Sequence, residues 1–599
     1  MLSFRQVDNS FHIEFQHPNP LINGAYRSLQ PGLERMLALP GLSAVAAASE
    51  ALDDGDSPEN RILRVLDAAC AVDEEALARI PREGPLIVVA NHPFGGIEGL
   101  MLASLLKRVR PDVRIMANLI LGQIRQLRDL FVLVDPFATK ESARANAAPM
   151  KETLRWLGQG GALGVFPAGT VSHLDLRTRR IADPAWSKNV GRIAQKSGAT
   201  VLPVYFEGRN GPLFQALGLL HPLLRTARLP REFVNKKGLR SRAHIGPPIP
   251  PERIAGFKNA ADITAYLRIR TELQRPGEHR PATGGKQFAL RPVIPQPDMR
   301  AVEAEVLALP ENCLLLTHGD FAVYAAPAQD MPLVLREIGR LREITFRAAN
   351  EGTGRSIDVD RFDDHYLHLF LWDRKEKEIA AAYRLGQLDR ILQTQGKDGL
   401  YTRTLFNIRK RLLRQLSPAL EMGRSFVRHE YQKQFLPLML LWKGIGAYVV
   451  RNPQYKHLFG PVSINSAYSS HTQDMLMHFL RRTAMDDRAS MVRAKTPPPH
   501  RRAGLDPATM STVVRELGDL SSLIADIEKD QRDVPILLKQ YLKLGGLLLG
   551  FNVDPDFSDV LDGLILVDLT KTDPRMLERY MGKDGAASFL AFHAENSTR

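Results

Sequence analysis

The stretch Gly84-Pro85-Leu86-Ile87-Val88-Val89-Ala90-Asn91-His92-Pro93-Phe94-Gly95-Gly96-Ile97-Glu98-Gly99 decides the fold of the first half of the chain. Gly84–Ala90 is a short apolar run that stops at Asn-His-Pro, so it reads as a buried strand feeding a loop. The paired glycines permit a tight turn, and Ile97–Val109 then reads as a helix. Val113–Met116, Phe131–Val134, Ala162–Phe166 and Val201–Phe206 are similar apolar runs. Helical stretches lie between them, among them Ala145–Leu157 with Met150, Leu154 and Leu157 on one face. This alternation predicts an α/β layer fold. Residues 1–80 read as mainly helical.

Working outward, 599 residues exceed one core at ~100–200 residues per domain. Residues 276–298 are rich in Pro and Gly without apolar periodicity and form the expected linker. The expected division is a helical region 1–80, an α/β domain 81–275, the linker 276–298, and a second α/β domain 299–599. In that second part, Tyr366–Trp372 and Ile379–Arg384 flank a charged turn and predict a hairpin. Met331–Arg347, Glu430–Val450, Ser470–Arg482 and Val534–Lys543 read as helices, and His457–Ile464 and Leu564–Leu569 as strands. The Pro-basic stretch Lys495–Arg502 reads as a loop.

Composition narrows the function classes. Charged residues are 24% and hydrophobic ones 44%, which argues against wholesale disorder. Two cysteines, Cys70 and Cys313, do not make a disulfide scaffold and fit a reducing cytosol. The first residues carry no apolar signal core. Phe435–Val450 is apolar but shorter than ~20 residues and contains Lys443, so it reads as a buried helix rather than a membrane span. The net charge is +14, and residues 171–290 hold 21 Lys or Arg against 8 Asp or Glu. The densest basic piece, Arg225–Arg242, follows the apolar Gly211–Leu224. Apolar residues beside bases suit contact with an anionic membrane surface; a solvated basic loop is the other reading. No nucleic-acid-binding motif accompanies the charge.

His92 at a strand end, with Glu98 in the first turn of the following helix, can form a dyad. The carboxylate orients the imidazole, whose other nitrogen takes a proton from an alcohol. Phe166-Pro167-Ala168-Gly169-Thr170-Val171-Ser172 closes another strand, and its backbone N–H groups, those of Gly169 and Thr170 included, are candidates for an oxyanion site. Together with Val201-Leu202-Pro203-Val204 these segments resemble the glycerolipid acyltransferases of the lysophosphatidate acyltransferase type, over roughly residues 80–250. The resemblance implies acyl transfer from acyl-carrier protein or acyl-CoA to a lipid hydroxyl, without a covalent acyl-enzyme. The sequence departs from that family's pattern. Ile97 stands at the fifth position after His92, where the family has Asp, and Glu98 is one residue further on. Ala168 and Val171 replace the family's Glu and Arg in the Phe-Pro-Glu-Gly-Thr-Arg-Ser block. Because that Arg is associated with the acceptor's phosphate, its replacement implies an acceptor without one. Arg144 is a candidate to meet a carboxylate instead.

A second constellation lies beyond the linker. Arg342 and Phe346 are four apart on one predicted helix, Asp360 and Asp363 follow, then Asp373 in the hairpin, Arg384, and Glu421-Met422-Gly423-Arg424. In this order they resemble the GNAT-like acyl-homoserine-lactone synthases, although the Trp expected near Gly352 is missing. EMGRSFV, HLFGPVSI and LLKQYLKLGG…DPDFSDVLDGLILVDL fit the ornithine–acyl-carrier-protein N-acyltransferases more closely, over roughly residues 300–599. The resemblance implies an amine attacking a thioester. Glu421 would take the amine proton or hold the ammonium. Arg342, Arg384 and Arg424 would bind the amino acid's carboxylate or the carrier's phosphopantetheine, with Asp360, Asp363 and Asp373 in the same substrate site. A buried salt-bridge network is the other reading of these charges. Gly444-x-Gly446 is a poor match to the acetyl-CoA loop of GNAT enzymes, which favours a carrier-protein donor. His365 and His368 have H-x2-H spacing but no third ligand, and no metal is proposed.

The whole chain resembles the bifunctional ornithine lipid synthases. The expected fold is therefore α/β in two domains: a glycerolipid-acyltransferase-like domain and a GNAT-like domain of the acyl-homoserine-lactone-synthase kind. The expected product is a phosphate-free aminolipid. The second domain would N-acylate ornithine with a 3-hydroxyacyl group from acyl-carrier protein, and the first would then esterify the 3-hydroxyl with His92 as base. No cofactor beyond the acyl-carrier donor is expected. The expected partners are acyl-carrier protein, ornithine and the membrane surface, with no nucleic acid, in a cytoplasmic protein peripheral to the inner membrane. Acyl-homoserine-lactone synthesis, another amino acid such as lysine or glycine, and a membrane-lytic or lipid-binding protein without turnover remain as alternatives.

Overall fold

The structure, a computed structural model, describes residues 2–7, 10–15, 29–52, 54–118, 124–135, 145–176, 179–276, 290–465, 467–499, 506–528, 532–557 and 559–597. The chain divides into two compact units, Met1–Gly277 with Gly504–Val513, and Glu278–Ala503 with Val514–Arg599. Most of the expected linker, residues 277–289, lies outside the described residues. Pro507–Val513, inside the region expected to be wholly second domain, instead packs on the first unit's helix Ala260–Glu272.

The first unit is built on a seven-stranded sheet. Its spatial order is Ala69–Val72, Arg240–Ile245, Thr200–Phe206, Leu86–Ala90, Ala162–Val165, Val113–Asn118 and Phe131–Val134. Every neighbouring pair is parallel except Arg240–Ile245 against Thr200–Phe206. Leu86–Ala90 is fully buried along its length, as a central strand of a mostly parallel sheet must be. Helix Ile97–Lys107 follows it and buries nine of its eleven residues. Asn91 extends the ladder past the strand end. Its Nδ2 donates to the carbonyl of Phe206 at 3.0 Å, and its Oδ1 accepts from the Phe206 N–H at 2.7 Å. The loop that follows therefore starts from a fixed point at the carboxyl end of the sheet, where α/β folds place their sites.

The described part of residues 1–80 holds expected helices, Leu39–Ala51, Pro58–Val65 and Glu74–Leu77, and also strands that were not expected. Leu2–Val7 and Ser10–Phe15 pair antiparallel with Phe4 opposite Ile13, and Ala69–Val72 adds an edge strand to the main sheet. Phe11, Ile13 and Phe15 recur at period two, the strand spacing, and two residues are enough to connect such a pair.

The second unit holds an eight-stranded mixed sheet. Its order is Leu314–His318, Phe321–Pro327, Leu367–Asp373, Glu378–Gln387, Ala419–Val427, His457–Ile464, Val560–Asp568 and Leu547–Asp554. Leu367–Asp373 and Glu378–Gln387 form the expected hairpin. All pairs are antiparallel except one. There Ala419–Val427 meets His457–Ile464 in parallel, with partners only from Ala419–Glu421 to His457–Phe459. Past that point the two strands part. Gly460 sits at the fork, where a Cβ would lie 2.0 Å from the Met422 carbonyl oxygen, so no side chain fits. In sequence the two strands are joined through helix Leu436–Arg451, the buried helix expected there. Cβ atoms at its Gly444 and Gly446 would lie 2.5 Å from Val323 Cγ1 and from the Tyr580 carbonyl oxygen, respectively. Those glycines serve close helix packing. No helix among the described residues is long and apolar enough to cross a membrane.

Candidate acyl-transfer sites

In the first unit, the site grows out of the strand–turn–helix read from the sequence. Gly95 has φ +99°, and a Cβ there would lie 2.6 Å from Leu229 Cδ2 and 2.7 Å from Val171 Cγ2, so both the conformation and the space demand glycine. The turn aims three backbone N–H groups at one carboxylate. Glu98 Oε1 accepts from Phe94 at 2.9 Å and Gly95 at 2.8 Å, and Oε2 accepts from Gly96 at 2.8 Å. Nδ1 of His92 lies 2.9 Å from Glu98 Oε1. Burial opposes the carboxylate charge, but His92 and the loop N–H groups prevail and hold Glu98 down at about 2. Burial also opposes a charge on His92, yet Glu98 and, after it, Asp183 raise the imidazole above its ordinary value. The result is an anchored carboxylate beside a more basic imidazole, the arrangement a general base needs.

Asp183, which the sequence reading passed over, braces the base from behind. Its Oδ1 accepts from the His92 backbone N–H at 3.1 Å and from the Ser172 hydroxyl at 2.5 Å, and its Oδ2 from Trp186 Nε1 at 3.0 Å. The Ser172 N–H also donates to the His92 carbonyl at 2.8 Å, so the Phe166–Ser172 segment is tied to the histidine. The expected oxyanion role of that segment fits only in part. The Gly169 N–H is spent on the Phe166 carbonyl inside its own turn, while Thr170 is exposed. Val171, at the phosphate-arginine position of the resembled family, is buried against the Gly95 turn. Arg144 lies outside the described residues.

In the second unit, the parting strands enclose a cavity of about 150 Å³. Its lining includes Met422–Ser425 and Pro461–Ser463, with Asp562 directly across the ladder from Ser463, and Glu351 and Asp554. Arg424 reaches it through a bulge. The pairing of Glu378–Gln387 with Ala419–Val427 slips between Ala382 and Arg384, and Arg424 takes φ +53°. Its guanidinium sits 4.9 Å from the Tyr401 ring centre and 4.4 Å from that of Phe557.

The motif residues behind Arg424 form one buried ionic network. Arg342 Nη1 meets Asp363 Oδ1 at 2.8 Å, Arg384 Nη1 meets Asp360 Oδ1 at 2.7 Å and Asp363 Oδ1 at 3.2 Å, and Arg424 Nη2 meets Asp360 Oδ2 at 3.2 Å. Burial opposes the charge on Asp363, but the two arginines hold it well below the carboxylate range. Asp358, missed from the sequence, adds a carboxylate 3.5 Å from Arg424 Nε. Arg342 and Arg384 are buried and do not line the cavity, so their expected contact with substrate is replaced by support of Arg424. Glu421 is also off the cavity. Its carboxyl is enclosed by the Tyr366 hydroxyl and the Thr402 N–H, and burial raises its pKa. The proton-accepting role expected of Glu421 does not fit that enclosure. Asp373 accepts from the N–H groups of Lys375 and Glu376 and from the Tyr431 hydroxyl; it closes the hairpin turn rather than joining the substrate site. His365 Nε2 lies 2.9 Å from the Gly399 carbonyl and His368 Nε2 3.0 Å from that of Asp363.

The acids on the cavity wall are the main feature the sequence reading missed. Burial, with the Asp556 charge adding to it, pushes Asp554 up to about 6. Burial raises Asp562 well above the carboxylate range, with Asp554 and Glu351 reinforcing it. Burial also raises Glu351, which accepts from Ser463 Oγ at 3.1 Å.

Two family descriptions match the chain: an acyltransferase over residues 62–270 and an acetyltransferase (GNAT) domain over residues 341–443. The glycine N(alpha)-acyltransferase of Bacteroides thetaiotaomicron is 33% identical over 279 residues, covering 42% of this chain and 80% of that protein. The lyso-glycine lipid O-acyltransferase of Phocaeicola vulgatus is 26% identical over 214 residues, covering 34% of this chain and 73% of that protein. Among solved structures, the 1-acyl-sn-glycerophosphate acyltransferase of Thermotoga maritima is 18% identical, with a TM-score of 0.25 over 42% of this chain and 90% of that one. The chain is thus a two-domain α/β acyltransferase with one acyltransferase domain and one GNAT domain.

Proposed function

Because this chain belongs to the N-acyltransferase family of its Bacteroides relative and carries a second acyltransferase domain, we propose that it makes a diacylated aminolipid in two steps. One observation carries the reading: a His–carboxylate dyad and a parting-strand cavity occur in one chain. The relatives matched are named separately for N-acylation and for O-acylation of glycine and its lyso-lipid.

In the first step a neutral amine attacks the thioester carbonyl of a 3-hydroxyacyl donor in the GNAT cavity. Backbone N–H groups of the parted strand face the developing oxyanion. The C–S bond breaks, the thiolate takes the proton shed by nitrogen, and an amide forms. Arg424, buried and rigidly clamped, is the group suited to the amino acid's carboxylate. In the second step His92 takes the proton of the 3-hydroxyl as that oxygen attacks a second thioester. Collapse yields the ester, and the imidazolium returns its proton to the departing thiolate. Val171 in place of a phosphate-binding arginine suits an acceptor that carries no phosphate.

We take the amino acid to be ornithine and the donor to be acyl-carrier protein. What supports the donor is that Gly444 and Gly446 are committed to helix packing, not to a pyrophosphate loop. Glycine is the second reading, favoured by the relatives' names. We place the reaction at a membrane surface. Leu213, Leu219, Leu220 and Leu224 are exposed on helices Pro212–Leu220 and Pro222–Ala227, beside the basic stretch, as an interfacial contact requires. The test is expression of the chain in a host without aminolipids, fed isotopically labelled ornithine or glycine. Label from ornithine in a diacylated, phosphate-free lipid supports the reading; label only from glycine selects the second reading, and no new lipid overturns both.

A further inference from the structure

The lining of the GNAT cavity also carries three carboxyl groups, of Glu351, Asp554 and Asp562, that the transfer step does not need. The reacting amine must be a free base to attack, so anions around it would oppose the reaction by favouring ammonium. Asp562 lies in the strand Val560–Asp568, a strand buried along nearly its whole length. Its side chain lines the cavity at 5% exposure and has no hydrogen-bond partner among the described residues. A buried, unpartnered carboxyl is costly, and an apolar residue would serve a strand better. Asp554, at 4% exposure, lines the same cavity. The cavity is not simply acidic, because Arg424 lines it too; among the described residues its buried Nε makes no hydrogen bond, with Asp358 3.5 Å away. One cation and several acids lining about 150 Å³ complement a small ligand that carries both a carboxylate and a positive charge.

We propose that Asp562, seconded by Asp554, is the specificity-determining pair of the N-acylation site: it receives a side-chain ammonium of the amino-acid acceptor while Arg424 holds the carboxylate. The assignment rests on the aminolipid reading and adds the residues that choose among amino acids. A diamino acid meets both charges. Glycine meets only Arg424 and leaves Asp562 without a partner.

The experiment uses the full chain with an acyl-carrier donor and measures kcat/KM for ornithine, for norvaline (the same carbon chain without the terminal amine) and for glycine. The wild type should favour ornithine over norvaline by on the order of 100-fold, the loss expected when a buried charge pair goes unmade. Asp562→Asn should remove most of that preference by lowering the ornithine value alone, with norvaline and glycine within about threefold of wild type. Asp562→Glu, whose longer arm keeps the charge, should retain preference for a diamino acid and move its optimum toward 2,4-diaminobutyrate, one carbon shorter than ornithine. Equal losses for ornithine and norvaline in Asp562→Asn, or an unchanged preference, overturn the proposal while leaving aminolipid synthesis standing. Failure of the wild type to acylate any amino acid overturns the aminolipid reading and this assignment with it.

Discussion

Replacing Glu98 by Gln tests the dyad where its geometry is most constrained. The carboxylate holds three backbone N–H groups at 2.8–2.9 Å and the imidazole at 2.9 Å. Lowering Glu98 from 4.5 to about 2 is worth about 3 kcal/mol of folding free energy. For an acid held low in the folded state, that stability is present above pH 4.5 and is lost as pH falls through about 2. Gln keeps the shape but turns an amide N–H₂ toward a loop N–H or toward His92, so at least one charge-assisted bond is lost. The melting point of the first unit should fall by about 5–10 °C at pH 7, and the gap from wild type should narrow in the acid range. The imidazole also loses the charge that raises its basicity, so O-acylation should drop about 10²–10⁴-fold. The assay is product mass spectrometry on a lyso-aminolipid, with N-acylation by the same preparation as the internal control. O-acylation within threefold of wild type, in a variant whose melting point has fallen, would refute the argument that Glu98 orients and charges the base.

Gly95→Ala should abolish O-acylation and spare N-acylation, because the added methyl meets Leu229 and Val171 in a left-handed turn; strain of about 1–3 kcal/mol would appear as a lower first-unit melting point. Asp562→Asn should raise the melting point of the second unit. An acid whose folded pKa is raised costs stability as pH climbs above its unfolded value, so the gain should be larger at pH 8 than at pH 5. Leu219→Glu with Leu220→Glu should weaken sedimentation with anionic vesicles while leaving acylation of a detergent-dispersed substrate unchanged.

The parts of this fold that were legible from sequence are those set by short-range patterning. Gly84–Glu98 announces strand, turn and helix because apolar run, paired glycines and helical spacing lie within sixteen residues. His92 and Glu98 meet through that same turn, so their contact was foreseeable. The ionic network was not. Arg342, Arg384 and Arg424 find their carboxylates 21, 24 and 64 residues away, and which of them reaches the cavity depends on a bulge that no residue type announces. Glu421 stands three residues from Arg424 but is enclosed by Tyr366 and Thr402 and does not line the cavity. Asp554 and Asp562 did leave a trace, as acids within apolar strands. Their meaning depends on where two strands part, and that is fixed by pairing across the whole unit.

The central claim is that one chain acylates nitrogen and then oxygen, with His92 serving only the second step. Lipids from a host expressing His92→Ala in the full chain should contain the monoacylated amide with a free 3-hydroxyl, in place of the diacylated lipid made by wild type. Wild-type levels of the diacylated product from His92→Ala, or loss of the amide along with the ester, would contradict it.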